Sequence, residues 1–363
     1  MKRLRFVLAL MLILLAAATG CAFWMYQELR KPVSHARAGE YIEIPRGSSP
    51  IEIVNKLANA GIIGRAWPVL AYLKFYDTKA RLKAGEYRFP SPISALGVIR
   101  KLEEGEQRLS RFTIIEGWTR WDIAAAMAHL PELKLPDAQA ALALLNDTRP
   151  IREIDAEAQN LEGYLYPDTY SFPPNATAES MIAGMAKRFR QEWKPEWDAR
   201  ARELGMTTRE IVTIASLIET EGKLKEDRPL IASVIYNRLA RNMALGIDSS
   251  IVYASKMAGK WRNDGKVYKS DVERQSPYNT RLHSGLPPGP IASPGARSLE
   301  AALYPAQTDY LYYVRDPARN DGAHNFYADE AGFARGRQAL RDWERTQESH
   351  GTSNEPADAS TEP

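Results

Sequence analysis

The chain has 363 residues, 44% of them hydrophobic and 26% charged, which is enough for two or three domains with a sizeable core. Its formal net charge of +3 is close to balanced and gives no indication of nucleic-acid binding. One cysteine and five scattered histidines exclude a disulfide framework and offer no metal-ligand spacing, so we expect no metal and no other cofactor.

The N-terminus predicts a membrane anchor. Residues 6–26 carry no charge, and about 20 apolar residues span a bilayer. The basic residues within 1–5 favour a cytoplasmic N-terminus, so we expect one retained span at 6–26 and the remaining chain outside the cytoplasm. A cleaved signal peptide is one alternative, although its apolar region would be shorter. A lipoprotein is the other, because small residues precede Cys21, but Ala18 departs from the usual lipobox.

Residues 27–39 form a polar stalk, and residues 40–108 follow with an α+β pattern. Their pattern predicts a strand at 41–45, a turn at Gly47, a helix that ends at Gly61, a helix at 65–76, a strand at 85–89 and a helix at 93–104. The same strand–turn–helix order returns about 70 residues later around Gly117, which indicates two related βα units. A strand, a Gly-Ser turn and a short helix also resemble LysM, a module that binds glycans rich in N-acetylglucosamine. A purely structural α+β domain is the alternative.

Residues 161–170 concentrate three tyrosines, a glutamate and an aspartate between Gly and Pro residues that fix the path of the backbone. Aromatic rings cover the apolar faces of sugars while carboxylates accept from their hydroxyls, so we interpret this segment as a sugar-binding loop. A packed turn at a domain edge is the alternative.

The segment 207–222 predicts the central helix of the chain. Thr207 and Glu210 have the spacing of a capping box, apolar residues follow at helical spacing, and Gly222 is a plausible end. Glu219 and Glu221 lie in the last turn. At roughly 100° per residue they point about 160° apart, so they cannot serve the same cleft.

The remaining chain alternates helices with one long shaped loop. A helix opens at Pro229 and carries Asn237, and a second follows with Asp248 or Ser249 as its cap. The Pro- and Gly-rich stretch 276–295 reads as a rigid functional loop. A strand at 310–314, a return strand from 324 and a helix at 333–348 complete the fold, and residues 349–363 should be disordered.

These motifs together resemble the YceG-like family, the endolytic murein transglycosylases known as MltG. The motifs that carry the resemblance are LEGYLYPDTY at 161–170, ASLIETE at 215–221, NRL at 237–239, YNT at 278–280, GLPPGPI at 285–291 and HNF at 324–326. The resemblance implies an α+β protein with an N-terminal transmembrane helix at 6–26, a LysM-like subdomain at 40–108 and a mixed helical and β catalytic domain at 109–348.

The resemblance also implies functional residues. Glu219 is the expected catalytic residue, and the expected substrate-binding residues are Glu162, Tyr166, Asn237, Asp248, Tyr278, Asn279 and His324. Where the family usually reads LQSDPT, this chain has LGIDSS at 245–250, so Asp248 is kept while the Gln and Pro are lost.

The expected reaction needs one carboxylate. The acid protonates the glycosidic oxygen between N-acetylmuramic acid and N-acetylglucosamine, and the muramic C6 hydroxyl closes onto C1 to leave a 1,6-anhydro end. Such an acid must be protonated when substrate binds, and Glu219 lies at the edge of an apolar stripe near the end of its helix. Glu221, pointing elsewhere, would be structural or would orient its neighbours.

The resemblance implies an enzyme of the cell inner membrane, with a periplasmic catalytic domain, that cuts nascent peptidoglycan strands beside wall-synthesis enzymes such as penicillin-binding proteins. Two alternatives stay open. The first is a true hydrolase that uses Glu162 as its second carboxylate. The second is a non-catalytic glycan-binding or scaffolding protein of the envelope.

Overall fold

The structure, a computed structural model, describes residues 2–77, 81–105, 108–319 and 321–351, with side chains described from residue 8 to residue 347. The chain divides into two compact units. Unit 1 comprises Met1–Arg111 and Ser171–Asn175, and unit 2 comprises Phe112–Tyr170 and Ala176–Pro363. The architecture mixes helices with short strands, as expected for an α+β protein.

The described residues of unit 1 form four helices and two small antiparallel sheets. Its elements in chain order are α1 (Lys2–Arg30), β1 (Pro32–Val33), β2 (Ile42–Ile44), α2 (Pro50–Asn59), α3 (Ala66–Phe75), β3 (Gly85–Tyr87), β4 (Ile93–Ser94) and α4 (Ala95–Glu104). β2 pairs with β3, and β1 pairs with β4. The buried side chains of α2 and α4 belong to the same hydrophobic core as those of the strands.

The helix α1 is long and apolar enough to cross a membrane between Leu8 and Arg30, and none of its apolar window is buried inside the protein. Its last turn, in contrast, belongs to unit 1. Leu29 is 1% exposed within the core, and Val33 pairs with Ile93. Residues 27–39 therefore differ from the expected polar stalk, because Leu29 and β1 bury apolar surface that a free linker would expose.

Unit 2 is mostly helical. The strands β5 (Ser110–Thr113) and β6 (Thr169–Phe172) pair with each other. The boundary between unit 1 and unit 2 falls inside each of these strands. The remaining elements are α5 (Arg120–Ala128), α6 (Ala138–Leu144), α7 (Ala178–Glu192), α8 (Pro195–Glu203), α9 (Thr208–Glu221), α10 (Arg228–Ala240), α11 (Asp248–Met257), α12 (Lys269–Val272), α13 (Ala296–Leu303), the hairpin strands β7 (Tyr312–Arg315) and β8 (His324–Tyr327), and α14 (Glu330–Gly351). Short 3-10 helices lie at Pro131–Leu133 and Arg149–Ile151.

The helix α9 lies at the centre of unit 2. It starts at the predicted capping box, in which Thr207 accepts from the N–H of Glu210 and the Glu210 carboxylate accepts from the N–H of Thr207 at 2.7 Å. Every residue from Ile211 to Ile218 is buried, because α13, α10, α11 and α8 pack around the helix. The full burial ends at Ile218, and Glu219 and Glu221 in the last turn are partly buried.

The two predicted βα units have the predicted order. Gly47 and Gly117 both adopt φ near +82°, a left-handed conformation that glycine tolerates, and each precedes a helix with a complete capping box. Whether the two segments superpose remains a prediction.

Helix starts differ from expectation at α4, α11 and α14, and α14 begins at Glu330, three residues before the predicted start. Ile93 and Ser94 form β4, so α4 begins two residues later than the pattern suggested, with Ser94 as its cap. Asp248 is the first helical residue of α11, so the N-cap position belongs to Ile247 rather than to Asp248 or Ser249. The Asp248 carboxylate accepts a hydrogen bond from Arg281 instead of capping the helix. The last helix continues to Gly351, and the predicted disordered tail lies from residue 352 onward outside the described residues.

Candidate functional site

An open cavity of about 410 Å³ lies beside the C-terminal end of α9. Its walls come from α10, the first turn of α11, the loop that carries Arg281, the β7–β8 hairpin and α14. The lining residues are Glu221, Arg238, Leu245, Gly246, Asp248, Arg281, Tyr313, Val314, Arg315, His324, Phe333, Arg337, Leu340 and Arg341. The cavity therefore brings together Asp248 and His324, two of the predicted site residues, with Glu221 rather than Glu219.

Glu221 is partly buried, and its carboxylate is held from two sides. The Tyr313 hydroxyl donates to one carboxylate oxygen at 3.1 Å, and the Ser249 hydroxyl donates to the other at 3.3 Å. Burial raises the pKa of Glu221 above its ordinary value, the nearby Asp248 charge raises it further, and the Tyr313 and Ser249 hydrogen bonds lower it in part. A cavity-lining carboxyl group with a raised pKa is a candidate proton donor.

Glu219 occupies a different environment. Its two carboxylate oxygens accept from the Arg228 guanidinium at 2.9 and 3.2 Å, and one of them also accepts from the N–H of Gly295 at 2.8 Å. The Glu219 side chain is 4% exposed and the Arg228 side chain is 9% exposed. Both oxygens are thus occupied and shielded, which leaves neither of them free to approach a glycosidic oxygen.

The Pro- and Gly-rich loop covers the Glu219 face of α9. The N–H of Ile291 donates to the Ser216 hydroxyl at 3.0 Å, one turn before the contact between Gly295 and Glu219. The predicted divergence of the two glutamates is confirmed, since their carboxylates have separate partners. The expectation that Glu221 faces away from the cleft is wrong, because the face covered by the loop is that of Glu219.

The two predicted residues in the cavity are positioned by neighbouring charges. Asp248 is exposed and accepts from Arg281 at 2.6 Å. The backbone N–H of His324 donates to Asp227 at 2.9 Å, and its ring Nδ1 lies 3.0 Å from the same carboxylate oxygen. His324 also packs edge-on against Tyr313, with ring centroids 5.3 Å apart.

Three other predicted residues do not line the cavity. The Asn237 amide donates to the carbonyl oxygens of Thr308 and Tyr310, each at 2.9 Å, and so fixes the approach to β7. Asn279 is fully buried and donates to two backbone carbonyls of the preceding segment. The Tyr278 ring packs at a tilt of 40° against Tyr253, with ring centroids 4.9 Å apart, and burial raises the pKa of Tyr278. These contacts give all three a structural role in the loops around the cavity.

Glu162 and Tyr166 also lie away from the cavity-lining residues. Both carboxylate oxygens of Glu162 accept from the N–H of Arg120, the first residue of α5, at 3.1 Å. Burial raises the pKa of Glu162 to about 7, although the Arg120 hydrogen bond opposes this shift. Tyr166 is 6% exposed with the Arg188 guanidinium 4.7 Å above its ring, and burial raises its pKa to about 12. The tyrosine-rich segment is therefore packed rather than open.

The sequence analysis missed Tyr313, which donates to Glu221. A signal was present in the alternation of the hairpin. Arg315 pairs with His324 and Tyr313 pairs with Phe326, so all four side chains lie on one face of the hairpin. Once His324 is taken as a site residue, Tyr313 and Arg315 are expected beside it.

Comparisons with known proteins identify relatives over most of the chain. The model of the YceG-like family matches residues 42–339. A Bacillus subtilis protein named endolytic murein transglycosylase is 35% identical over 312 residues, covering 81% of this chain and 84% of that protein. A Streptococcus pneumoniae protein of the same name is 32% identical over 299 residues, and the match spans 54% of its length. The crystal structure of a yceG-like protein from Listeria monocytogenes, 31% identical, matches with a TM-score of 0.55 over 81% of this chain and 97% of that one.

Proposed function

The chain belongs to the YceG-like family, and from this premise we propose that it is an endolytic transglycosylase of murein with Glu221 as its acid and base. The family gives the reaction class, and the cavity around Glu221 is the observation that selects the residue. The sequence-based expectation was Glu219. We propose Glu221 instead, because Glu221 lines an open cavity with Asp248 and His324 while Glu219 is occupied by Arg228.

The proposed reaction moves one proton through Glu221. The protonated carboxyl donates to the glycosidic oxygen as the bond between that oxygen and C1 of N-acetylmuramic acid breaks. The carboxylate left behind then takes the proton of the muramic C6 hydroxyl as its oxygen bonds to C1. The products are a new hydroxyl on N-acetylglucosamine and a 1,6-anhydromuramic end, and Glu221 is again protonated. No water is consumed, so one carboxylate suffices.

Glu219 takes a positioning role in this proposal. The side chain of Arg228 links Glu219 on α9 to Ser298 on α13, where it donates at 2.9 Å, and its Nε donates to the carbonyl of Gly222. A Cβ at position 222 would lie 2.9 Å from the Arg228 side chain, so glycine leaves space for this bridge. The bridge fixes the end of α9 and therefore the backbone that carries Glu221.

A two-carboxylate hydrolase fits the site less well. This alternative requires Glu162 as its second carboxylate. Both carboxylate oxygens of Glu162 accept from the backbone N–H of Arg120, and the residue is 3% exposed. Asp248 is the other carboxylate among the described cavity residues, and Arg281 occupies it. A non-catalytic binding protein would have no need of a carboxyl group whose pKa burial raises beside an open cavity.

The location and partners belong to the same proposal. We infer that α1 spans the cell inner membrane at residues 6–26, with a cytoplasmic N-terminus and a periplasmic catalytic domain at 109–348. A LysM-like domain at 40–108 would hold glycan, since β2, α2, α3 and β3 follow one another as strand, helix, helix and strand. Cleavage would limit the length of nascent strands beside wall-synthesis enzymes such as penicillin-binding proteins. Protease added to spheroplasts should degrade the chain beyond the span, and protection or a lipid on Cys21 would contradict this topology.

The masses of the products test the reaction class. Purified protein in detergent should convert glycan strands into fragments that end in anhydromuramic acid, each lighter by one water than a hydrolysis product. Fragments should appear from internal positions of the strand. Reducing ends with the water present would favour the hydrolase, and strands that are bound but never cut would favour the binding protein. Glu221→Gln protein serves as the matched control for contaminating enzymes.

A further inference from the structure

Four arginines line the cavity, Arg281, Arg315, Arg337 and Arg341, and we name them together the cationic wall. A fifth, Arg238, is engaged elsewhere, because its guanidinium donates to the backbone carbonyls of Leu311 and Leu245, each at 2.6 Å. The wall therefore comes from three separate parts of unit 2: the Pro- and Gly-rich stretch 276–295, the end of β7 and the last helix α14.

The positive charge of this wall exceeds the negative charge that the cavity supplies. Glu221 and Asp248 are the carboxylates among the described lining residues. Asp248 is paired with Arg281, and burial raises the pKa of Glu221, which favours its neutral form. Arg337 and Arg341 thus add positive charge to a site proposed to bind a glycan.

Arg337 and Arg341 are the members of the wall best placed for a ligand. They lie one turn apart on α14, so their side chains project from the same face. In the described part of the chain no carboxylate lies within 4.0 Å of either guanidinium. Arg341 donates to the Gln338 amide oxygen at 2.5 Å, and Arg337 lies 5.6 Å from the Phe333 ring centroid. The planar guanidinium of arginine pairs with carboxylates through two parallel hydrogen bonds.

We propose that Arg337 and Arg341 bind carboxylates of the peptide stems on the murein strand, so that the enzyme selects strands that still carry stems. This proposal rests on the proposed function. The disaccharide backbone of murein is uncharged where a stem is attached, because the muramic lactyl carboxyl is then an amide. The anionic groups within reach of a bound strand are therefore the stem carboxylates, and the cationic wall offers the complementary charge beside the proposed acid.

The test compares two strand preparations and three proteins. One preparation carries stems with free carboxylates, and in the other the same carboxylates are converted to amides. Wild-type protein should cleave the free-carboxylate strands with kcat/KM about tenfold higher, and added salt should shrink the difference. Arg337→Ala/Arg341→Ala should lose that advantage and cleave both preparations equally. Arg335→Ala, which removes an exposed arginine of α14 outside the cavity lining, should match wild type on both.

The outcomes distinguish a failure of stem recognition from a failure of the proposed transglycosylase function. Wild-type protein indifferent to amidation, or a double variant equally impaired on both preparations, would overturn stem recognition while leaving the transglycosylase intact. A third preparation, stripped of stems, has a free lactyl carboxylate. One outcome is that wild-type protein prefers these stem-free strands over the amidated strands as strongly as it prefers the free-carboxylate strands. If the double variant then loses this preference as well, the wall binds the lactyl carboxylate and the stem assignment fails. Strand binding by Glu221→Gln protein, measured by fluorescence anisotropy with and without the two arginines, tests the wall even if cleavage follows another mechanism.

Discussion

Replacing Glu219 by glutamine should lower the stability of unit 2 rather than remove a proton donor. The change leaves the buried Arg228 guanidinium without its main counter-charge, and breaking a buried pair from one side costs about 3–5 kcal/mol. Glu116 lies 3.9 Å from Arg228 but is 52% exposed, so it offsets part of the loss and favours the lower end of that range. A loss of about 3 kcal/mol corresponds to a Tm lower by about 6–12 °C for a unit of this size.

Thermal unfolding followed by circular dichroism measures this effect, with Arg228→Met as a companion variant. Removing both partners should restore part of the lost stability, because the double variant no longer buries an unpaired charge. Well below its Tm, Glu219→Gln protein should retain most of the cleavage rate. A Glu219→Gln protein that unfolds like wild type and fails to cleave would refute this reasoning and return the acid to Glu219.

Three further outcomes follow from the structure. Because burial raises the pKa of Glu162 to about 7, this group should lower wild-type stability by about 3 kcal/mol as pH rises from 4.5 to 7. Denaturant titrations at pH 5 and pH 8 should therefore show a smaller fall in Glu162→Gln than in wild type, and an equal fall in both would contradict it. Tyr313→Phe removes a hydrogen bond that lowers the pKa of Glu221. The alkaline limb of the pH profile of kcat/KM should therefore move to higher pH, and a limb that stays in place or moves to lower pH would contradict this. A chain that begins at Glu40 lacks Leu29 and β1, whereas a chain that begins at Met25 keeps both. Limited proteolysis should therefore cut unit 1 of the shorter chain faster, and equal rates would contradict a role of Leu29 and β1 in the core.

Local chemistry explains which parts of the fold the sequence predicts. The predicted helix start at Thr207 depends on a partner three residues away, and its capping box is present. Ser49 and Thr119 begin their helices in the same way. The short strands β1 and β4 could not be predicted, because a two-residue pair between Val33 and Ile93 depends on tertiary packing rather than on local preference.

The site shows the same distinction between local and long-range information. Helix geometry separates Glu219 from Glu221 without further data. It does not say which direction is open, because that depends on Arg228, nine positions from Glu219, and on Tyr313, 92 positions from Glu221. The environments of three further residues could not be predicted for the same reason, namely Asn237, Asn279 and Glu162. Their residue types fit sugar binding, yet their amides and carboxylate are satisfied by backbone groups that only the folded chain brings near.

The most direct test of Glu221 as the acid and base is the strand-cleavage rate of Glu221→Gln beside that of Glu219→Gln, both measured well below their Tm. Glutamine keeps the shape of the side chain and removes its proton, and positioned acid–base catalysis contributes roughly 10²–10⁴-fold. We predict that Glu221→Gln binds strands and loses at least that factor in kcat, while Glu219→Gln loses much less. A Glu221→Gln protein that cleaves at the wild-type rate, or a larger loss in Glu219→Gln, would contradict the account.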